Sequence, residues 1–146
     1  MNIARLALAA IAGLVVEICY GFVVYGLLLS GEFAKFPALY RSAETGPGYL
    51  PLMFAGVLVA IVAASIIYAK GYEGGSGVQE GMRFGALVGL VMVGYVAGVN
   101  YAIMNIGKRL AVYYGLAALV EWVAIGIVIG FVYSPRAKVR AAGAGV

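Results

Sequence analysis

Four long apolar runs alternate with short polar segments along this chain. The runs cover residues 6–29, 49–69, 84–104 and 110–133. Each run has about the 20 residues that an α-helix needs to cross a hydrocarbon core about 30 Å thick. The runs are apolar on every side, whereas barrel strands alternate between polar and apolar positions. The pattern therefore predicts an all-α membrane protein with four transmembrane helices.

The residues at the ends of the runs set the predicted helix boundaries. We expect helices at about 4–30, 48–70, 82–105 and 109–133. The third connection is so short that the last two helices must form an antiparallel hairpin. Extending this alternation to all four helices gives one transmembrane domain over residues 1–146, an antiparallel up-down bundle.

The segments outside these helices differ in character. Residues 71–81 are rich in glycine and predict a flexible loop. Residues 32–42 mix aromatic and charged side chains, which fits a segment lying on the membrane surface or an ordinary polar loop equally well. Residues 134–146 are expected to form a short basic tail.

The composition supports a membrane environment. Hydrophobic residues make up 64% of the chain and charged residues 11%, whereas about a quarter of a soluble domain is charged. The net charge is +4, but the basic residues flank apolar runs, as they do beside a membrane. We therefore expect membrane lipids as partners, and no nucleic acid.

The distribution of basic residues predicts the orientation. One side of the membrane would hold Arg5, Lys70, Arg83, Arg136, Lys138 and Arg140, and the other would hold Lys35, Arg41, Lys108 and Arg109. Cytoplasmic segments carry the excess of Lys and Arg. Both termini are therefore predicted to be cytoplasmic, in a multi-pass protein of the inner cell membrane.

The chain lacks the residues of common catalytic and metal sites. It contains no His and no Asp, and Cys19 is its only cysteine. A Ser–His relay, an axial His for haem and a Cys/His zinc site are therefore excluded. We expect no catalytic residue, no metal, no cofactor and no enzymatic activity.

Small residues spaced four apart predict where helices pack closely, because lipid tails provide no hydrophobic drive for association. The predicted packing glycines are Gly13, Gly21, Gly81, Gly85, Gly89, Gly94, Gly98, Gly126 and Gly130.

Two glutamates interrupt the first and fourth apolar runs at similar depths. Glu17 and Glu121 each lie about eleven residues into a run, about 15 Å from its start at about 1.5 Å per residue. Antiparallel helices would place both near the bilayer midplane, where desolvation favours the neutral acid. Tyr20, Tyr95 and Asn100 are the predicted hydrogen-bond partners.

Three functions are compatible with this sequence. The leading hypothesis is a non-enzymatic structural or accessory subunit that packs in a homo-oligomer or with other membrane subunits, with the glutamates as polar contacts between helices. The alternative is a proton- or cation-coupled small-molecule transporter that uses Glu17 and Glu121. A lipid- or pigment-binding membrane protein is the third.

Overall fold

The chain forms four long helices in a computed structural model that describes residues 1–42 and 44–134. They are α1 (Ile3–Leu28), α2 (Gly46–Gly71), α3 (Gly77–Ile103) and α4 (Lys108–Tyr133). All four are long and apolar enough to cross a membrane, and no strand occurs within the described ranges. The predicted all-helical fold with four helices long and apolar enough to span a membrane is confirmed. Most of the expected basic tail, from residue 135 onward, lies outside the described residues.

Helix α4 is the central element of the fold. It packs along α3 on one side and along α1 on another, while α2 packs chiefly on α1. Its buried side chains include Ile125 and Ile129, which meet Ala9 of α1 and Ile61 of α2 in the largest apolar core. The outward faces of α1, α2 and α3 carry exposed Leu, Ile, Val and Phe side chains. Such a surface suits lipid as the surrounding solvent.

The contact between α3 and α4 is made by main chains. A Cβ atom added at Gly77, Gly81 or Gly85 would collide with a carbonyl oxygen of α4. Those oxygens belong to Gly130, Gly126 and Trp122 respectively, so early residues of α3 meet late residues of α4 and this pair runs in opposite directions. Close backbone approach through small residues is how helices associate in lipid.

Two of the long helices contain wider, π-helical turns. They cover Gly21–Leu28 in α1 and Val93–Val99 in α3. At the end of the first, the Leu29 amide donates to the Val24 carbonyl over 2.8 Å, a bond spanning five residues. A π-turn rotates the residues beyond it relative to a regular α-helix, and such turns are frequent at functional sites.

The segment after α1 folds back onto the start of α4. It contains a short helix, Ser30–Phe33. The side chains of Phe33, Phe36 and Tyr40 then pack against the cluster formed by Ile106, Leu110 and Ala111. The aromatic residues of 32–42 are therefore used to cover the end of the α3–α4 hairpin.

The glycine-rich segment is shorter and more ordered than its composition suggests. Helix α3 begins at Gly77, so only Tyr72–Ser76 remain as a turn. Gly74 has φ +92°, a conformation that suits glycine. The Glu80 carboxylate accepts hydrogen bonds from the amides of Glu73 and Gly75, at 3.0 and 2.6 Å. These bonds hold a segment for which flexibility was expected.

Candidate membrane-embedded acidic site

Glu17 and Glu121 lie at the middle of their helices. Helices α1 and α4 each have 26 residues, and each glutamate is close to the centre of its own helix. The two helices pack against each other, and the two carboxyl groups are neighbours. The structure thus brings together two residues separated by about a hundred positions in sequence. We call Glu17 and Glu121 the acidic pair.

Glu121 is the more enclosed member of the acidic pair. Its side chain is buried, with 5% of the residue exposed. The Tyr25 hydroxyl donates a hydrogen bond to Glu121 Oε2 over 2.9 Å. The other oxygen, Oε1, is buried and receives no hydrogen bond from any donor group in the described part of the chain. Such an oxygen is costly unless a proton or a ligand satisfies it.

Glu17 is half-buried and forms part of the wall of an opening on the side of the molecule. This opening, the apolar cleft, has a volume of about 210 Å³ and lies between α1, α2 and α4. The residues that line it are Glu17, Gly56, Val57, Ala60, Ile61 and Trp122. Among the described residues that line it, the Glu17 carboxyl is the one acidic group, set among apolar and small side chains.

The π-helical turn in α1 explains why Tyr25 reaches Glu121. Tyr25 follows Glu17 by eight residues, and at roughly 100° per residue a regular α-helix would set it about 80° away from Glu17. The wider turn from Gly21 rotates the chain less per residue, so Tyr25 returns towards the side of α1 that faces α4. The backbone irregularity therefore positions a hydrogen-bond donor at the acidic pair.

Tyrosines extend the polar contacts on one side of the acidic pair. The Tyr20 hydroxyl donates to the Ala117 carbonyl of α4 over 2.8 Å, which ties α1 to α4 one turn from Glu121. The rings of Tyr20 and Tyr25 meet edge to face at 6.1 Å, and Tyr25 meets Tyr114 at 5.4 Å. Glu121 is thereby surrounded by aromatic rings and excluded from bulk water.

The arrangement is suited to holding a proton. Two neighbouring carboxylates in a water-poor site repel each other, and a single proton shared between them removes that repulsion. The same proton can satisfy Glu121 Oε1. Full ionisation of the pair is costly, since a charged side chain at the bilayer centre costs about 2.5–3.5 kcal/mol even on insertion scales. With one proton the pair keeps one negative charge, and with two it is neutral.

The structure places the three predicted hydrogen-bond partners differently. Tyr20 bonds a backbone carbonyl, and Tyr95 is 66% exposed on the outer surface of α3. Asn100 follows the π-helical part of α3 and makes no hydrogen bond to either glutamate in the described chain. Tyr95 and Asn100 therefore do not serve the acidic pair, because the face of α3 that meets α4 is its glycine face.

The predicted packing glycines fall into two groups. Added Cβ atoms would meet neighbouring helices at Gly13, Gly81, Gly85, Gly89, Gly126 and Gly130. At Gly21, Gly94 and Gly98 an added Cβ would meet nothing within 4 Å. The first group packs this chain on itself, and the second is left open.

Tyr25 and Trp122 are the site residues that sequence reasoning missed. Tyr25 is not among the predicted partners, and in a regular α-helix it would point about 80° away from Glu17. Trp122 follows Glu121 directly, and that adjacency predicts divergent directions. The signal available in the sequence was the pair of small residues Gly56 and Ala60, which leave space beside Trp122.

Comparison of this chain with protein-family models, with curated proteins and with solved structures finds no match. The fold and the site together define a small protein of four helices apolar enough to cross a membrane, with two neighbouring carboxyl groups near the middle of their helices. Its function is therefore argued from the chemistry of that centre.

Proposed function

We propose that this protein is a proton-coupled carrier of a small solute, with the acidic pair as its proton-binding centre. The observation that carries this proposal is the unsatisfied, buried Oε1 of Glu121 beside the carboxyl of Glu17. Purely structural polar contacts between helices normally satisfy their hydrogen-bonding groups, because an unpaired one is costly in lipid. An ionisable pair inside a membrane is by default a functional site.

The apolar cleft adds the second element that a carrier needs. It gives Glu17 access to the exterior of the bundle, while Glu121 stays enclosed. One member of the pair can therefore meet a solute while the other keeps or releases the proton. Binding of the solute would change the affinity of the pair for the proton, and binding of the proton would change the affinity for the solute by the same factor.

The first experiment measures protons on the acidic pair. Infrared difference spectra of the protein in lipid, recorded during a pH titration, should show the carbonyl stretching band of a protonated carboxylic acid. Glu17→Gln and Glu121→Gln should each reduce this band. Glu73→Gln, at an exposed turn position, is the matched control and should leave it unchanged.

The second experiment measures coupling. A pH-sensitive dye is enclosed in proteoliposomes, and ammonium, carboxylate and neutral solutes are added outside in turn. The proposal expects one class to drive a change of internal pH that Glu17→Gln abolishes. If the wild-type protein and Glu17→Gln give the same traces with every class, and the infrared band does not depend on either glutamate, the proposal is wrong.

We also propose the finer topology predicted from the sequence. The four helices would cross in alternating directions as an up-down bundle, with both termini on the cytoplasmic side of the inner membrane. Support comes from the basic side chains Arg5, Lys70 and Arg83 near one set of helix ends. Cysteine substitutions at exposed Gln79 and Lys35, reacted with an impermeant thiol reagent in intact cells, test this orientation.

A structural or accessory subunit is the second candidate. The observation in its favour is the open stripe of Gly94 and Gly98, followed by exposed Ala102 on α3. Small residues at this spacing allow another helix to approach closely. Native mass spectrometry after extraction in mild detergent tests it: a complex that Gly94→Leu dissociates supports the subunit function, and a stable monomer contradicts it.

A further inference from the structure

We infer that the apolar cleft binds a small organic ammonium ion, with its N–H group on the Glu17 carboxylate and its apolar body against Trp122. This inference rests on the proposed function, since it names the class of solute that the carrier would take. It is carried by the cleft itself, which combines one acidic wall group with an apolar lining at mid-depth in the membrane.

The charge of the site selects a cation. When the acidic pair holds one proton it keeps one negative charge, and no Lys or Arg side chain forms a salt bridge with either glutamate within the described residues. An ammonium ion would neutralise this charge, and charge-assisted hydrogen bonds are among the strongest available. A neutral ligand would leave the charge uncompensated in lipid, and an anion would add to it.

The lining selects the kind of cation. Trp122 is half-buried at the cleft, and an indole ring is the best aromatic partner for a positive charge. Val57 and Ile61 offer apolar contact. A hard inorganic cation prefers six or more oxygen ligands, which this lining does not supply. The carboxyl needs an N–H donor, which a quaternary ammonium lacks.

The size of the cleft sets an upper limit on the ligand. About 210 Å³ is smaller than the 300–1,000 Å³ typical of drug-sized sites. The space exists because Gly56 and Ala60 present little or no side chain, and an added Cβ at Gly56 would meet no atom within 4 Å. A ring of six carbons with one amino group is the right order of size, so cyclohexylammonium is a suitable probe.

Proton and ammonium should compete for the same negative charge. Glu121 is the titratable neighbour of Glu17. Around the acidic pair, Tyr25 donates to Glu121, and the rings of Tyr20 on α1 and Tyr114 on α4 meet that of Tyr25. The α2 residues that line the cleft carry no titratable group. Binding an ammonium ion to the doubly protonated pair releases one proton, so charge is conserved. In that range, apparent affinity should fall by about tenfold for each unit decrease in pH.

The test uses the fluorescence of Trp122, which is the only tryptophan of the chain. The whole protein in lipid nanodiscs is titrated with cyclohexylammonium at fixed pH. We expect a saturable change in emission for the wild-type protein. Glu17→Gln should weaken binding by about tenfold or more, because a hydrogen bond to a charged group is lost. Cyclohexanol, which carries no charge, should give no saturable change. Cyclohexyltrimethylammonium, which keeps the charge but cannot donate a hydrogen bond, should bind about tenfold or more weakly than cyclohexylammonium.

A second variant keeps the test decisive if Glu17→Gln disturbs the fold. Gly56→Leu fills the cleft and leaves both carboxyl groups in place, so binding should be lost while the infrared band of the protonated acid remains. Ala63→Leu, at an exposed position of the same helix, is the matched control and should bind like the wild-type protein.

The outcomes separate this inference from the proposed function. No saturable emission change, or equal affinity in the wild-type protein, Glu17→Gln and Gly56→Leu, would overturn the ammonium site. If the infrared band still depends on Glu17 in that case, the proton centre stands and only the class of solute is wrong. If the band is absent as well, both proposals fail.

Discussion

Tyr25 donates its hydroxyl hydrogen to Glu121 Oε2 over 2.9 Å, joining the two helices that carry the acidic pair. The bond depends on the π-helical turn that begins at Gly21. It satisfies one carboxyl oxygen of Glu121 and leaves the other for a proton. The surroundings of Glu121 therefore depend on the π-helical turn of α1 as well as on side chains.

Removing this donor should destabilise the fold. Tyr25→Phe keeps the ring contacts and leaves Glu121 Oε2 without its donor. Measured interhelical hydrogen bonds in a membrane protein average about 0.6 kcal/mol and reach about 1.7. We expect a loss towards the upper end, about 1–2 kcal/mol, because the acceptor becomes an unpaired buried group. Reversible unfolding in mixed detergent micelles, followed by circular dichroism, measures it.

Tyr95→Phe is the matched control for this change. Tyr95 is exposed on α3, so removal of its hydroxyl should have no measurable effect on unfolding. Equal stability of the Tyr25→Phe and Tyr95→Phe variants would show that the Tyr25 bond contributes nothing.

The glycine contact between α3 and α4 should tolerate no added methyl group. In Gly81→Ala the new Cβ would collide with the Gly126 carbonyl oxygen, so the helices must separate. Overpacking of this kind costs about 1–3 kcal/mol. The same unfolding assay should show that loss, with a control at Gly94, where an added Cβ meets nothing within 4 Å.

Gly94→Ala should be neutral or stabilising, since alanine is the better helix former by up to about 1 kcal/mol. If the Gly81 and Gly94 variants unfold alike, the α3–α4 contact is not as close as described.

Two ion pairs of Glu32 should make the local stability of the segment after α1 weakly dependent on pH. Glu32 pairs with Lys35 at 2.8 Å and with Arg109 at 3.3 Å. The hydrogen bond from Lys35, aided by the charge of Arg109, holds the pKa of Glu32 below its ordinary value, although desolvation acts in the opposite direction. Because the pKa of Glu32 is lower in the folded protein than in the unfolded chain, its ion pairs stabilise the fold at pH values above the unfolded-state pKa. This stabilisation is lost as the pH falls through the folded-state pKa.

Amide hydrogen exchange over residues 30–40 measures this effect. Exchange corrected for its intrinsic pH dependence should rise on acidification from neutral pH to about pH 3. Glu32→Gln should exchange fast at both pH values. An acid response of the same size in Glu32→Gln would assign it to other groups.

The turn before α3 should depend on one carboxylate. Glu80→Ala removes the acceptor of the Glu73 and Gly75 amides. Hydrogen exchange at these two amides should accelerate by about tenfold, corresponding to the loss of about 1.4 kcal/mol for a charge-assisted bond. Glu44→Ala, at another exposed position, should leave them unchanged, and an equal acceleration in both variants would contradict the assignment.

The four helices were predictable because bilayer thickness sets their length and lipid requires satisfied backbones. The similar depth of Glu17 and Glu121 was also predictable, but the sequence left open whether they face each other or a neighbouring subunit. What the sequence pattern could not supply was helix rotation. Tyr25 reaches the pair through a π-turn, which the apolar pattern of α1 does not mark.

Rotation also explains the misplaced partners on α3. Gly81, Gly85 and Gly89 form one stripe and Gly94 and Gly98 another, and both look like packing surfaces in sequence. Only the stripe of Gly81, Gly85 and Gly89 faces α4. Further along α3, Ala97 extends this contact, because its side chain lies against Gly115 of α4. Tyr95 consequently lies outside. Periodicity identifies stripes, but the choice between them depends on three-dimensional packing against a partner.

The central position of α4 has a consequence for biosynthesis. A ribosome delivers α1, α2 and α3 to the membrane before α4, yet α3 makes its main interhelical contacts with α4, and Glu121 resides there. A nascent chain that stops before residue 108 would leave the Glu17 carboxyl without its neighbour and the glycine face of α3 bare. The packing of α3 and the completion of the acidic pair must therefore await α4, and chains interrupted before it would carry an unpaired Glu17 carboxyl in the bilayer.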